Sequence, residues 1–85
     1  MSLQDDFAAA VAGSKQLKEK PSNDILLELY SLYKQATEGD DQGDVPGMFD
    51  FVGMAKYDAW AKRRGTTREG AMQAYVDLVN RLRQG

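Results

Sequence analysis

Apolar side chains recur along this chain at intervals of three and four, broken by proline, glycine and acidic stretches, and the alternation predicts four helices. Leu3, Phe7, Ala10, Val11, Ser14 and Leu17 share one side of a first helix over about residues 3–16, with Asp5 and Asp6 in the first turn, where the helix dipole favours carboxylates. Lys20-Pro21 interrupts it, because the residue before proline avoids the α region, and Ser22 or Asn23 can cap a new start. The second helix, about 23–37, has Ile25, Leu26, Leu29, Leu32, Tyr33 and Ala36 on more than one stripe, so it must cover two neighbours, or a neighbour and a ligand. Gly39 supplies its stop.

Residues 40–51, DDQGDVPGMFDF, show no period and predict a loop of about ten residues, long enough to form one rim of a site. Asp50 can cap a third helix over about 51–63, with Met54, Tyr57, Trp60 and Ala61 at helical spacing. Gly65 ends it. Thr66 followed three residues later by Glu69 is a capping-box pattern that opens a fourth helix, with Ala71, Met72, Tyr75, Val76, Val79 and Leu82 on one face. Gly70 in its first turns costs about 1 kcal/mol relative to alanine. No stretch alternates with period two for long, and no heptad seam is sustained. The expected fold class is all-α, a four-helix bundle spanning residues 1–85 as one domain.

Composition narrows the function. The 85 residues include no cysteine and no histidine, which removes disulfide scaffolds, zinc ribbons, thiol catalysis and the commonest general base. No nucleophile and base pair remains to support an enzyme, no metal or cofactor is expected, and a binding module is the natural starting point. Eleven Lys and Arg against 13 Asp and Glu give a net charge of −2, which argues against nucleic-acid binding. No apolar run reaches membrane-spanning length, and the acidic start is unlike a signal peptide. The charge is nevertheless uneven. Lys15, Lys18 and Lys20 form one basic cluster and Lys62, Arg63 and Arg64 another, with an acidic region of Glu38, Asp40, Asp41, Asp44 and Asp50 between them.

The segment YSLYKQATEGD carries the most pointed chemistry. At about 100° per residue, Tyr30, Tyr33 and Lys34 lie on one side of the second helix. Two aromatic faces and a mobile ammonium can stack a base and hold a phosphate. Taken singly, Tyr30 reads as well as a core aromatic, Lys34 as a solvated lysine, and Lys15 as a cation favoured by a helix C-terminus. Trp60 reads as core, and Lys62-Arg63-Arg64 as a basic completion of the third helix.

Together, YSLYKQATEGD, PGMFDFVGMAKYDAWAKRRGT and AMQAYVDLV resemble the acyl-CoA-binding protein family over nearly the whole chain. The resemblance implies an up-down-down-up four-helix bundle that binds long-chain acyl-CoA thioesters in the cytosol without chemistry. Carried over by position, it assigns Tyr30, Lys34 and Lys56 to the 3′-phosphate of the CoA ribose and Tyr33 to the adenine. Tyr75 would stand near the ligand, Lys15 would line the CoA side, and Ser31 and Leu32 fall within the same segment. Phe7, Ala10, Leu26 and Leu27 would line the acyl groove. Partners implied are the ligand and acyl-CoA-using enzymes, for a carrier that is most simply a monomer without membrane insertion.

The chain departs from the family pattern in three places. Val52 and Met54 stand where lysines are common, Tyr57 where a tryptophan is common, and the loop Asp40-Asp41-Gln42-Gly43-Asp44 is unusually acidic. That loop would oppose an anionic ligand if it faced the phosphates and would merely be solvated if it faced outward. These departures keep a second reading open, a helical protein-interaction domain that retained the bundle and lost acyl-CoA affinity.

Overall fold

The computed structural model describes residues 2–84 and contains four α-helices, α1 Leu3–Ser14, α2 Asn23–Glu38, α3 Phe51–Ala61 and α4 Arg68–Gln84, with no strand among the described residues. A short polar side chain starts each of them. Ser2 Oγ accepts from Asp5 N at 3.1 Å, Ser22 Oγ from Ile25 N at 3.3 Å, and Asp50 Oδ1 from Gly53 N at 2.9 Å. The fourth cap lies one residue later than the capping-box pattern predicts. Thr67, not Thr66, accepts from Gly70 N at 2.9 Å, so Gly70 takes the third helical position and Glu69 cannot reciprocate. A Cβ at Gly70 would lie 3.0 Å from Thr67 Oγ1, so the glycine that weakens the helix leaves room for its cap.

Two helices are shorter than their apolar spacing predicts. After Ser14, the amides of Lys15 and Gln16 turn back to carbonyls three residues earlier, those of Ala12 and Gly13, which tightens and ends α1. Past Ala61, the amides of Arg63 and Arg64 do the same with Trp60 and Ala61. Both arginine side chains then leave the helix axis for distant partners: Arg63 Nε donates to Ser31 Oγ at 3.1 Å, and Arg64 Nη2 to Asp41 Oδ2 at 2.7 Å. They are ties between elements rather than a helix terminus.

Helix α4 packs against α1 and α2, and α3 packs against α2 alone. Directions follow from matched pairs. Phe7 meets Tyr75 and Gly13 lies by Arg83, so α1 and α4 run the same way. Lys56 sits on Tyr30 and Lys34 on Trp60, so α2 and α3 also run together. Arg68 reaches the carbonyl of Glu38, while Arg81 shares a cleft with Glu28, so α4 opposes α2. The order is up-down-down-up, in a flattened body of 39 × 27 × 15 Å.

The core is made by three helices: Phe7 and Ala10 from α1, Leu29, Leu32 and Ala36 from α2, and Ala71, Tyr75, Leu78 and Val79 from α4. Helix α3 contributes no buried residue. No helix among the described residues is long and apolar enough to cross a membrane.

A candidate ligand-binding face on the second helix

The sequence of α2 divides its surface three ways. Leu29, Leu32 and Ala36 turn into the core, Ser31 and Gln35 are buried on another side, where Ser31 is met by Arg63 and Gln35 by Trp60, and Leu26, Leu27, Tyr30, Tyr33 and Lys34 fall within an arc of about 120° on the remaining side. Tyr33 on this third side is 41% exposed, and Tyr30, Lys34, Leu26 and Leu27 are half-buried. One border is aromatic. The Phe7 ring from α1 stacks on Tyr33 with centroids 6.0 Å apart and meets Tyr75 edge-on at 5.2 Å.

The other border is cationic. Lys56 Nζ of α3 lies 5.2 Å from the centroid of the Tyr30 ring, and Lys34 Nζ lies 4.9 Å from that of Trp60. Lys34 also forms a hydrogen-bonded ion pair with Glu38 one turn on. That bond to the carboxylate holds the Lys34 pKa above its ordinary value against the opposing effect of lost hydration, so the ammonium is charged at any physiological pH.

Behind the lysines a polar network fixes the indole. Trp60 Nε1 donates to Gly39 O at 2.9 Å and to Gln35 Oε1 at 3.2 Å. Gln35 is fully buried, and its Nε2 donates to Asp40 Oδ1 at 2.7 Å and to Thr66 O at 2.8 Å. Asp40 Oδ1 also accepts from Gly65 N at 3.0 Å, and these two bonds, that from Gln35 first, lower the Asp40 pKa. Asp41 pairs with Arg64, whose hydrogen bonds hold the Asp41 carboxyl down at about 2. The first two acids of the loop are therefore each tied to protein partners. They fasten the C-terminal end of α2 to the turn between α3 and α4.

The residues expected at the site are only partly brought together. Tyr30, Tyr33, Lys34 and Lys56 converge, with Leu26 and Leu27 on the same side of α2 and Phe7, itself only 8% exposed, against Tyr33. Ser31 and Leu32 do not join them, being 1% and 3% exposed on the inner sides of α2, because their helical phase differs from that of Tyr30. Ala10 is 4% exposed in the core. Tyr75 is equally buried, its hydroxyl donating to Ser14 Oγ at 3.1 Å behind Phe7. Lys15 is exposed at the C-cap of α1. Val52 is 68% exposed on the first turn of α3, beside the equally open Met48, Phe49 and Phe51.

The sequence reading missed Glu38 and Gln35 as partners of this face and took Trp60 for core. The four-residue step from Lys34 to Glu38 was a readable signal. The pairing of Gln35 with Trp60, 25 residues away, left no local trace. Two clefts lie around Glu28 and Arg63, between α2 and α3 and between α2 and α4, but neither is lined by Tyr30, Lys34 or Lys56. The candidate face is thus an open surface with two half-buried leucines, two aromatic rings and two ammonium groups, a mix of apolar and cationic groups suited to an amphiphile with an anionic head.

The family model described as Acyl CoA binding protein matches residues 4–79. The chain belongs to the acyl-CoA-binding protein family. Among its relatives, Acyl-CoA-binding protein homolog 1 of Caenorhabditis elegans is 51% identical over 82 residues, covering 96% of this chain and 93% of that one. The Acyl-CoA-binding protein homolog of Manduca sexta is 47% identical, over 96% of this chain and 92% of its own. The crystal structure of Oryza sativa Acyl-CoA-Binding Protein 2 superposes with a TM-score of 0.93 at 37% identity, covering 98% and 92% of the two chains. Membership of the acyl-CoA-binding protein family makes this a non-catalytic binding domain, and family and fold together support acyl-CoA as its ligand class.

Proposed function

We propose that this protein binds long-chain acyl-CoA thioesters reversibly and carries or buffers them for acyl-using enzymes in the cytoplasm, as a monomer and with no cofactor. In this reading Tyr30, Lys34 and Lys56 hold the 3′-phosphate of the CoA ribose, and Tyr33 offers its face to the adenine. The acyl chain follows the apolar lane of Phe7, Leu26 and Leu27, and Lys15 adds charge on the CoA side. The single observation that carries the reading is the convergence of Lys34 and Lys56, from two helices, on the aromatic side of α2, each ammonium about 5 Å from a ring.

The division of labour follows from magnitudes. Each buried methylene contributes about 0.8 kcal/mol, so ten of them supply about 8 kcal/mol before ordering costs. A charge-assisted phosphate hydrogen bond adds about 1.5–3 kcal/mol. The tail supplies affinity, and the nucleotide end supplies identity. Calorimetric titration with palmitoyl-CoA, CoA and palmitate tests this: the thioester binds far more tightly than either half. Equal affinity for palmitate and the thioester, or no heat with the thioester, sinks the proposal. A domain that binds a protein through the open Met48, Phe49, Phe51 and Val52 surface, with no acyl-CoA affinity, is the competing outcome.

A further inference from the structure

Lys34 is held by two unequal partners. The indole of Trp60 is anchored by its hydrogen bonds to Gly39 and Gln35. Glu38 is the opposite case, with a side chain 51% exposed. Helix energetics give no reason for a carboxylate there. Glu38 is the last residue of α2, where the dipole disfavours negative charge, and a lysine four residues before a glutamate is the weaker order of such a pair. What the carboxylate does is occupy the ammonium that the proposed phosphate needs.

Resting on the acyl-CoA reading, we propose that Glu38 is a positioning residue that sets the affinity of the phosphate subsite. It holds Lys34 over Trp60 while the site is empty, and it must give up the ammonium when a phosphate arrives. Binding at this subsite is an exchange of one anion for another on a lysine already in place, and Trp60 keeps the ammonium from leaving with the departing carboxylate. A carboxylate left beside the incoming phosphate also repels it. The 3′-phosphate therefore contributes less to affinity in this chain than the two lysines would provide without Glu38.

The test is Glu38→Gln, which keeps size and hydrogen-bonding capacity while removing the charge from a half-exposed site. Palmitoyl-CoA and its 3′-dephosphorylated analogue are titrated calorimetrically into wild type, E38Q, K34M and the double variant. Losing an exposed ion-pair competitor and its repulsion of a dianion tightens palmitoyl-CoA roughly three- to fivefold in E38Q, with the dephosphorylated thioester unchanged. In the K34M background the same substitution tightens palmitoyl-CoA by clearly less, because the competition for Lys34 is gone and only the direct repulsion remains; an undiminished gain there overturns the competition. Equal tightening of both ligands would mean general charge relief, and no tightening would mean no competition; either result overturns the role of Glu38. If wild type binds palmitoyl-CoA no better than palmitate, the acyl-CoA reading itself fails and takes this inference with it.

Discussion

Replacing Gln35 with leucine probes the link between fold and site most directly. The side chain is fully buried and makes three hydrogen bonds, to Asp40, to Thr66 O and from Trp60. Leucine is close in volume and leaves no large cavity, so the loss is polar. It removes three bonds worth about 1 kcal/mol each, partly offset by the added apolar burial, while the carbonyl of the exposed Thr66 can turn to water. The net expectation is a destabilisation of about 2 kcal/mol, a large share of the roughly 4–13 kcal/mol expected for a chain this size. Urea denaturation measures it as a lower midpoint at unchanged slope, and thermal melting as a fall of roughly 8–16 °C. Trp60 retains only Gly39 O, so the Lys34 platform loosens and palmitoyl-CoA affinity falls at a temperature where Q35L is still folded. A variant within 1 kcal/mol of wild type (about the value of a single hydrogen bond) would refute the claim that this network joins α2 to α3 and α4.

Lys34→Ala weakens palmitoyl-CoA binding about tenfold or more, the loss of one charge-assisted hydrogen bond, and barely changes binding of the 3′-dephosphorylated analogue; equal calorimetric losses for both refute the phosphate assignment. Asp41 has its carboxyl held at about 2 by Arg64. Because its folded value is depressed, the stabilisation is complete above the ordinary carboxylate range and is lost as pH falls from about 4 towards 2. Chemical denaturation across that range therefore falls more steeply for wild type than for Asp41→Asn. Val52→Lys restores a cation at an exposed position on the first turn of α3 and tightens palmitoyl-CoA about twofold at low salt, an advantage that calorimetry at 0.5 M salt should see disappear.

The periodic segments were legible because each helix buries one stripe, and a buried stripe writes its period into the sequence. Asp50 was readable as a cap, and Ser22 as one of two candidates with Asn23, because capping is a contact across three residues. Thr67 was misplaced by one because two adjacent threonines offer the same chemistry, and only the backbone path chooses between them. The expected helix runs on through residues 62 and 63, with Arg64 as its basic completion, because nothing local says that Arg63 will turn to Ser31 or Arg64 to Asp41, contacts that span 32 and 23 residues. Trp60 shows the same limit. Its spacing says that something covers it, not that the cover is a glutamine, a glycine carbonyl and a lysine. Helical phase alone grouped Tyr30, Tyr33 and Lys34, and the same phase should have set Ser31 and Leu32 apart.

The absence of α3 from the core has a dynamic consequence. A helix joined to the rest by Trp60, Arg63, Arg64 and the contact of Lys56 with Tyr30 can detach as a unit while α1, α2 and α4 stay packed. Amides of residues 54–61 should therefore exchange with deuterium sooner than those of 75–79 in α4. A molecule gripped by Lys34 on one side and Lys56 on the other closes that seam, and its arrival should slow exchange in α3 far more than in α4. On the acyl-CoA reading proposed above, the helix that buries no residue of its own is the one whose order depends most on the ligand.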